Sequence, residues 1–310
     1  MSALPNSYTF LAHAITNDTY EREGFSKFFD SWLSEQDQYL QELISVSKRY
    51  NQNADPNSTT TSTAESSTHD QVHDQVVHEP VLCPLINRVI QHYEHYYGAK
   101  STWAKQDVLA ILSPSWLSSL EDAFSWIGGW RPSMAFHLLY SKSGLQLEEH
   151  LADLIRGLGT GDLGDLSPSQ LNLVDALQRR TLMEERELTE GLAKHQETVA
   201  DSSMVELSHE VTELLREREA GGDGTRLDED RVDSALAPKE EGLADILQTA
   251  DDLRLRTLKG ILDVLTPIQA VHFLIAAAGL QLRLHNWGKE RDEKARQHHG
   301  SNGSDDHPHS

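Results

Sequence analysis

Cysteine and positive charge are both scarce in this 310-residue chain. The single cysteine, Cys83, excludes a disulfide within the chain and fits a reducing compartment. It lies between Leu82 and Pro84 in an apolar stretch, which predicts a buried and inert thiol. Lys and Arg number 27 against 49 Asp and Glu, giving a formal net charge of −22. A surface of that sign repels nucleic-acid phosphates and anionic membranes, so we expect no direct binding to either.

Long apolar runs and strand-like patterns are also missing. The most apolar stretch, Ala270 to Leu280, is shorter than a membrane span and lies in an amphipathic segment. The first residues lack the charged region and apolar run of a secretory signal. No segment alternates apolar and polar residues as a half-buried strand does. Hydrophobic residues make up only 38% of the chain, so part of it is expected to lie outside any core.

Helical periodicity is the strongest pattern that remains. Apolar residues recur at helical spacing from Phe25 to Val46 and again from Val81 to Tyr97, giving one apolar stripe and one polar face in each. A charged helical segment follows from Leu171 to about Arg218, with a break near residues 200–203. Another runs from Leu243 to about Asp292 and divides near Thr266. The sequence therefore predicts an all-α, multi-helix bundle with long amphipathic helices.

Hydroxyl–proline pairs predict where three of the helices begin. The hydroxyl accepts an orphan amide at the N-cap, and proline has no amide to leave unpaired at the first helical position. Gln170 and Gln269 stand three residues after two of the caps and complete capping boxes. The three pairs are Ser113-Pro114, Ser167-Pro168 and Thr266-Pro267.

Polar stretches predict the boundaries of the folded part. Residues 51–79 are rich in Ser, Thr, Asn, Asp and His and predict a disordered insertion, because they cannot bury enough apolar area to offset the cost of ordering. Residues 219–240 predict an acidic flexible linker, and 293–310 a disordered tail. The prediction is thus an N-terminal segment at 1–24 followed by a helical domain at 25–292.

The densest cluster of unusual residues runs from Phe124 to Ser133. Gly128 and Gly129 can adopt a left-handed helix cap, and Pro132 suits the first turn of the next helix. The spacing of Trp130 and Arg131 permits a cation–π contact. Two interpretations remain open: a helix–helix corner sealed by aromatic residues, or a surface that recognises a protein partner. The candidate partner-binding residues are Trp126, Gly128, Gly129, Trp130, Arg131 and Pro132.

Three ordered blocks carry a resemblance to a known family. Residues 103–141, centred on FSWIGGWRPS, resemble the heart of the domain shared by plant Delay-of-Germination proteins and the C-terminal half of TGA transcription factors. Residues 25–43, FSKFFDSWLSEQDQYLQEL, resemble the opening helix of that domain, and residues 250–292 resemble its closing helices. Because the blocks occur in the family's order, the chain is identified as a member of this class.

The resemblance implies a regulatory protein rather than an enzyme. Its expected partners are type 2C protein phosphatases of abscisic-acid signalling or TGA-type transcription factors, in seed dormancy or transcription regulation, in the nucleus or cytoplasm or both. Only 24 residues precede the first matched block and they form no basic arm, so we expect DNA to be reached only through a partner. The sequence has no nucleophile elbow, phosphate loop or zinc-protease motif that would favour catalysis.

Histidines supply the remaining alternative, a haem or apolar-ligand sensor. The resemblance associates haem with histidines of the closing block, where His285 is the candidate axial ligand and His272 precedes it on the same predicted helix. Gln281 stands where the family has a second histidine, and it is a poor ligand for haem iron. A histidine near a helix C-terminus is also explained by the helix dipole. The other histidines lack fixed supporting partners, so no metal site is predicted.

Overall fold

The computed structural model describes residues 8–53, 70–149, 162–219 and 229–301, and every regular element in those ranges is a helix. Short 3₁₀ helices occupy Leu163–Asp165 and Thr198–Ala200. The α-helices are α1 (Tyr8–Asn53), α2 (Asp70–Ala104), α3 (Val108–Leu112), α4 (Ser119–Ala123), α5 (Met134–Glu149), α6 (Pro168–Glu197), α7 (Ser202–Glu219), α8 (Glu229–Val264) and α9 (Pro267–Ser301). The predicted all-α multi-helix class is confirmed.

Helix α9 is the central element of the bundle, since it contacts α1, α2, α4 and α5. Helix α6 packs along α8, and α2 and α3 join that pair to the rest. Apolar residues of α9 such as Val271, Phe273 and Leu274 are almost completely buried, as are Trp32 and Leu43 of α1. Burial of this apolar surface is what holds the long helices together.

The two stripes predicted for α1 and α2 are the faces that pack into the core. On α1 the buried positions recur every three or four residues, and Gln36 occupies one of them. On α2 the stripe runs through Val89, Tyr93 and Tyr97 to Ala104 and includes Lys100, a fully buried cation. Polar groups at these core positions are unusual, and both of them line or border the candidate site described below.

Two of the three predicted helix starts are confirmed. Ser167 caps α6 in a capping box with Gln170, and Thr266 and Gln269 exchange the same pair of hydrogen bonds at the start of α9. The Ser113-Pro114 start is wrong, because Ser113 ends α3 by donating its amide to Leu109. The side chain of Trp116 is buried, so the chain turns there instead of continuing as a helix. Helix α4 begins five residues later, capped by Ser118.

Helices occupy the ends of the predicted insertion, linker and tail, and most of the N-terminal segment. Residues 8–24, 51–53, 70–79, 219, 229–240 and 293–301 all belong to helices. The remaining parts of the predicted segments, residues 1–7, 54–69, 220–228 and 302–310, lie outside the described residues. The predicted break in the charged segment is confirmed by the 3₁₀ turn between α6 and α7.

The predicted burial of Cys83 is wrong, because its thiol is exposed. Leu82 and Leu85 face the core, and Cys83 lies on the other side of the same helix. Apolar neighbours in sequence therefore did not indicate the same helix face.

Helix α9 is long and apolar enough over Pro267–His298 to meet the length and composition of a membrane span, contrary to the expectation from the sequence. Half of its most apolar window is buried inside the bundle.

Candidate functional site

The corner between α4 and α5 is a tight turn of the backbone. Trp126 and Gly129 exchange two backbone hydrogen bonds, of 2.7 and 3.2 Å. Between them, Ile127 and Gly128 both have positive φ angles, of 44° and 65°. The left-handed conformation predicted here is thus confirmed for Gly128, whereas Gly129 does not share it and Ile127 does.

Arg254 of α8 holds this corner from the inside. Its side chain is completely buried, and its Nε donates to the carbonyl of Trp130 at 2.6 Å. Its Nη2 donates to the carbonyls of Trp126 and Ile127. A β-carbon on Gly129 would lie 3.0 Å from the Arg254 guanidinium carbon, so glycine there allows the close approach. The corner backbone is therefore positioned by a residue more than a hundred positions away.

Lys100 of α2 completes this support. Its Nζ donates to the carbonyl of Gly128 at 2.7 Å and to Asp251 Oδ1 at 2.9 Å. Asp251 also accepts from Arg254, so two buried cations share one buried carboxylate. Burial lowers the pKa of Lys100 to about 8, although the Asp251 charge opposes that shift.

The outer side of the corner is fixed by α6. Arg131 Nε donates to Glu185 Oε2 at 2.8 Å, and the Ser133 amide donates to Glu185 Oε1 at 2.5 Å. The guanidinium of Arg131 lies 5.8 Å from the ring centroid of Trp126, so the cation–π contact that the structure shows for Arg131 is with Trp126. Arg254 lies 5.4 Å from the same Trp126 ring, which is thus close to both cations.

Trp130 faces inward, where its Nε1 donates to the hydroxyl of Tyr97 at 2.8 Å. Burial holds the pKa of that hydroxyl well above its usual value. Pro132 is buried and precedes α5 by two residues. The six predicted partner-binding residues therefore do lie together, but much of their hydrogen bonding is directed into the protein.

Beside the corner is an apolar pocket of about 230 Å³, lined by side chains of α1, α2, α4, α5, α8 and α9. Aromatic and aliphatic side chains form most of its lining, among them Phe29, Trp32, Tyr96, Trp130, Leu258 and Phe273. Three lining residues, Phe124, Met134 and Leu280, are substantially exposed and so mark its mouth.

Polar groups reach this pocket at a few points. Lys100 and Arg254 contribute to its lining from the corner side. Tyr93 and Gln281 also line it, and both contact the buried Gln36, whose Nε2 donates to them at 2.6 and 3.3 Å. The other amide atom of Gln36, Oε1, is buried with no hydrogen-bond partner in the described part of the chain. A mostly apolar pocket with few fixed polar groups has the general character of a small-molecule site.

The predicted haem ligand, His285, does not line this pocket. Its Nδ1 lies 3.0 Å from both carboxylate oxygens of Glu121, and its ring packs edge-on against Phe29 at 5.8 Å. Burial opposes the shift, but hydrogen bonds with His285 and Ser118 lower the pKa of Glu121 overall. His272 is also engaged, with Ser47 and Gln146 at its two ring nitrogens. The pocket presents Gln281 in place of histidine, so these residues do not fit a haem held there by histidine.

Lys100 and Arg254 were not singled out from the sequence, although a signal for them exists. Each is a charged residue at a position where the apolar stripe of its helix predicts a core residue: Tyr93 and Tyr97 precede Lys100, and Leu247 and Ala250 precede Arg254. A buried charge is retained only when it is paired, so such positions predict a long-range partner.

Comparison with known proteins relates the sequence to a family. The sequence profile described as "DOG1: Seed dormancy control" matches residues 63–141. The chain is 31% identical to Protein DOG1-like 4 of Arabidopsis thaliana, over 87% of this chain and 94% of that protein. It is 24% identical to Protein RESPONSE TO ABA AND SALT 1 of Arabidopsis thaliana, over 88% of this chain and 99% of that protein. It is also 29% identical to Transcription factor TGA1 of Arabidopsis thaliana, over 62% of this chain and 42% of that protein.

Proposed function

This chain belongs to the DOG1 family, whose profile is described as seed dormancy control, and we propose that it is a non-enzymatic regulatory protein that acts through protein partners. The relatives reported above bear the names of DOG1-like proteins, of a protein responding to abscisic acid and salt, and of a transcription factor. These names support a role in dormancy or abscisic-acid-type signalling, exerted in the nucleus or the cytoplasm or both.

The observation that carries the proposal is the exposed aromatic surface at the corner. Phe124 is 65% exposed, and the partly exposed ring of Trp126 and the half-exposed side chain of Arg131 are near neighbours in the same turn. Arg254 and Glu185 hold the backbone of this turn in place, so little conformational entropy is lost when a partner binds it. Exposed aromatic residues and arginine on a fixed backbone are the composition of binding hot spots.

The test measures binding of the purified chain to purified candidate partners. The candidates are a type 2C protein phosphatase and a TGA-type transcription factor, each titrated separately. The Phe124→Ser variant should bind at least about ten-fold more weakly, which corresponds to one hot-spot side chain. The matched control is Leu173→Ser on α6, where Leu173 is 57% exposed and far from the corner in sequence. Equal affinities for wild type, Phe124→Ser and Leu173→Ser would contradict the corner as the binding surface.

The two partner classes lead to different roles, which a DNA gel shift separates. If the chain is a co-regulator of TGA-type factors, it should retard the factor's DNA only when the factor is present. Its net charge of −22 disfavours retardation by the chain alone. Retardation by the chain alone would contradict indirect recruitment. Binding to the phosphatase without any supershift would favour the signalling role.

The apolar pocket favours a second candidate function, a sensor of a small apolar ligand. The pocket is bordered by Ser125 and Gly128 of the corner, so a bound ligand would contact the proposed partner surface directly. Binding of decan-1-ol, followed by the fluorescence of the lining tryptophans, tests whether the pocket accepts an apolar chain. Ala277→Phe, which fills the pocket from α9, should abolish the change. An unchanged signal in that variant would place the ligand elsewhere.

A further inference from the structure

The buried charges beside the pocket comprise two cations and only one carboxylate. Lys100 and Arg254 are both almost inaccessible to solvent and share a single carboxylate, Asp251. The five guanidinium hydrogens of Arg254 are directed largely at Asp251 and at three backbone carbonyls. The cluster therefore carries one excess positive charge, which burial makes costly unless an anion lies nearby.

Lys100 is the cation that can donate one further hydrogen bond. An ammonium group has three donors, and the two acceptors found for Lys100 among the described residues are Gly128 O and Asp251 Oδ1. Because Lys100 also lines the pocket, an acceptor inside the pocket can approach it.

The other carboxylate at the pocket, Glu121, does not supply this missing charge. It accepts hydrogen bonds from the amide and hydroxyl of Ser118, and it is paired with His285. It therefore serves the N-terminus of α4, and no hydrogen bond connects it to Lys100 in the described structure.

We infer that the pocket binds a small monocarboxylate with an apolar body, whose carboxylate pairs with Lys100. The apolar body would lie among Trp130, Leu138, Leu258 and Phe273, where it displaces water from aromatic and aliphatic surface. A single negative charge equals the excess positive charge of the cluster, whereas a dianion would exceed it. This inference rests on the apolar-ligand candidate function proposed above and specifies its ligand class.

The polar groups on the α1 side of the pocket extend this specificity. Tyr93 and Gln281 line the pocket next to the buried Gln36, whose Oε1 has no partner in the described structure. A hydroxyl or carbonyl on the body of the ligand could hydrogen-bond with this group. Purely hydrocarbon acids should therefore bind more weakly than acids that carry one such polar atom away from the carboxylate.

The test compares decanoate with decan-1-ol, which has the same chain without the charge, below the concentrations at which either aggregates. Both are titrated into the full chain at neutral pH by tryptophan fluorescence and calorimetry. Decanoate should bind about ten-fold or more tightly than the alcohol, as expected for a charge-assisted hydrogen bond in a dry site. In Lys100→Met, which leaves the neutral Asp251–Arg254 pair, the preference should fall to less than about two-fold.

Controls separate the possible failures. Lys259→Met removes an exposed lysine of α8 that pairs with Glu94, and it should leave the preference unchanged. If neither ligand binds wild type, the sensor function itself is contradicted. If both ligands bind wild type equally, the apolar-ligand function is supported, but the inference that the ligand is a carboxylate is overturned. The wild-type preference decides the inference even where Lys100→Met does not fold, and Ala277→Phe should abolish binding of both ligands.

Discussion

At the corner between α4 and α5, four backbone carbonyls accept hydrogen bonds from buried cations. In an ordinary exposed turn, such carbonyls would be hydrogen-bonded to water. Lys100 donates a hydrogen bond to one of these carbonyls, and Arg254 donates to three. The carbonyls belong to Trp126, Ile127, Gly128 and Trp130. Since a buried carbonyl without a donor is destabilising, the corner depends on residues of α2 and α8 rather than on its own sequence.

Replacing Arg254 by Met should lower the free energy of unfolding by about 3–5 kcal/mol, because it leaves the buried carboxylate of Asp251 and three carbonyls with fewer donors. The matched control is Arg256→Met on the same helix. Arg256 pairs with Glu184 on the surface, and its loss should cost at most about 1 kcal/mol. Urea denaturation measures both values. Similar losses in the two variants would contradict the role assigned to Arg254.

Gly128→Ala should destabilise the protein, whereas Gly98→Ala should stabilise it. Gly128 has a φ of 65°, and a β-carbon there would lie 2.9 Å from Leu247. A left-handed alanine alone costs about 1–2 kcal/mol. Gly98 lies within α2, and a β-carbon there would have nothing within 4 Å. Alanine is favoured over glycine in a helix by about 0.5–1 kcal/mol. Thermal unfolding should show shifts of opposite sign.

At the scale of elements, the sequence predicted what depends on local periodicity. The stripes of α1 and α2, the caps at Ser167 and Thr266 and the break before α7 all follow from neighbouring residues. Ser113-Pro114 shares the hydroxyl–proline pair of the two correct caps but has Trp116 in place of their capping-box glutamine. Burial of Trp116 and the hydrogen bond from Lys289 to its carbonyl go with a turn at this point. Helix ends and turns set by tertiary contact could not be predicted in this way.

The candidate site shows the same division. The sequence identified the glycines and tryptophans of the corner, because turn residues and aromatics are recognisable locally. It did not indicate which ring Arg131 approaches, since Trp126 and Trp130 are both close in sequence. It could not supply Arg254, which lies 124 residues after Trp130, or the pocket that α2, α8 and α9 enclose together.

The packing of α1 against α2 should make stability depend on pH through His92. This ring stacks on Trp32 at 4.7 Å, and burial, followed by the charge of His95, lowers the pKa of His92 from 6.5 to about 4. The unfolded chain therefore binds a proton at His92 between pH 6.5 and 4 that the folded chain does not bind. The contribution of neutral His92 is fully present above pH 6.5 and is lost as pH falls towards 4.

His92→Phe keeps an aromatic ring against Trp32 and removes the titration. Between pH 7 and 4.5 this variant should lose about 1–2 kcal/mol less stability than wild type. The folded wild type becomes less stable as pH falls because protonating the buried His92 is costly, and Glu35, 3.5 Å away, offsets only part of that cost. His137→Phe, at an exposed position of α5, should follow the wild-type profile. Denaturation by urea across this pH range measures the slopes. Parallel slopes for wild type and His92→Phe would rule out His92 as the titrating group.

At the scale of the whole molecule, a net charge of −22 should act against the compact state. Self-repulsion is weakened by salt, since the Debye length falls from about 30 Å at 0.01 M to about 10 Å at 0.1 M. Surface ion pairs such as Lys259–Glu94 and Arg256–Glu184 are screened as well, but each contributes at most about 1 kcal/mol. Because acidic residues far outnumber basic ones, we expect repulsion to dominate at neutral pH.

The midpoint of thermal unfolding should therefore rise by a few degrees between 20 and 200 mM sodium chloride at pH 7, on the order of 1 kcal/mol of added stability. The same salt range at pH 5, which is close to the isoelectric point of 5.0, supplies the control, because the net charge is then near zero and the ion pairs are the main interactions left to screen. The salt effect there should vanish or change sign. A midpoint that falls with salt at pH 7 would mean that the ion pairs outweigh the repulsion. The acidic surface would then be a stabilising feature. The proposal that its negative charge prevents direct DNA binding would then be supported by the gel shift alone.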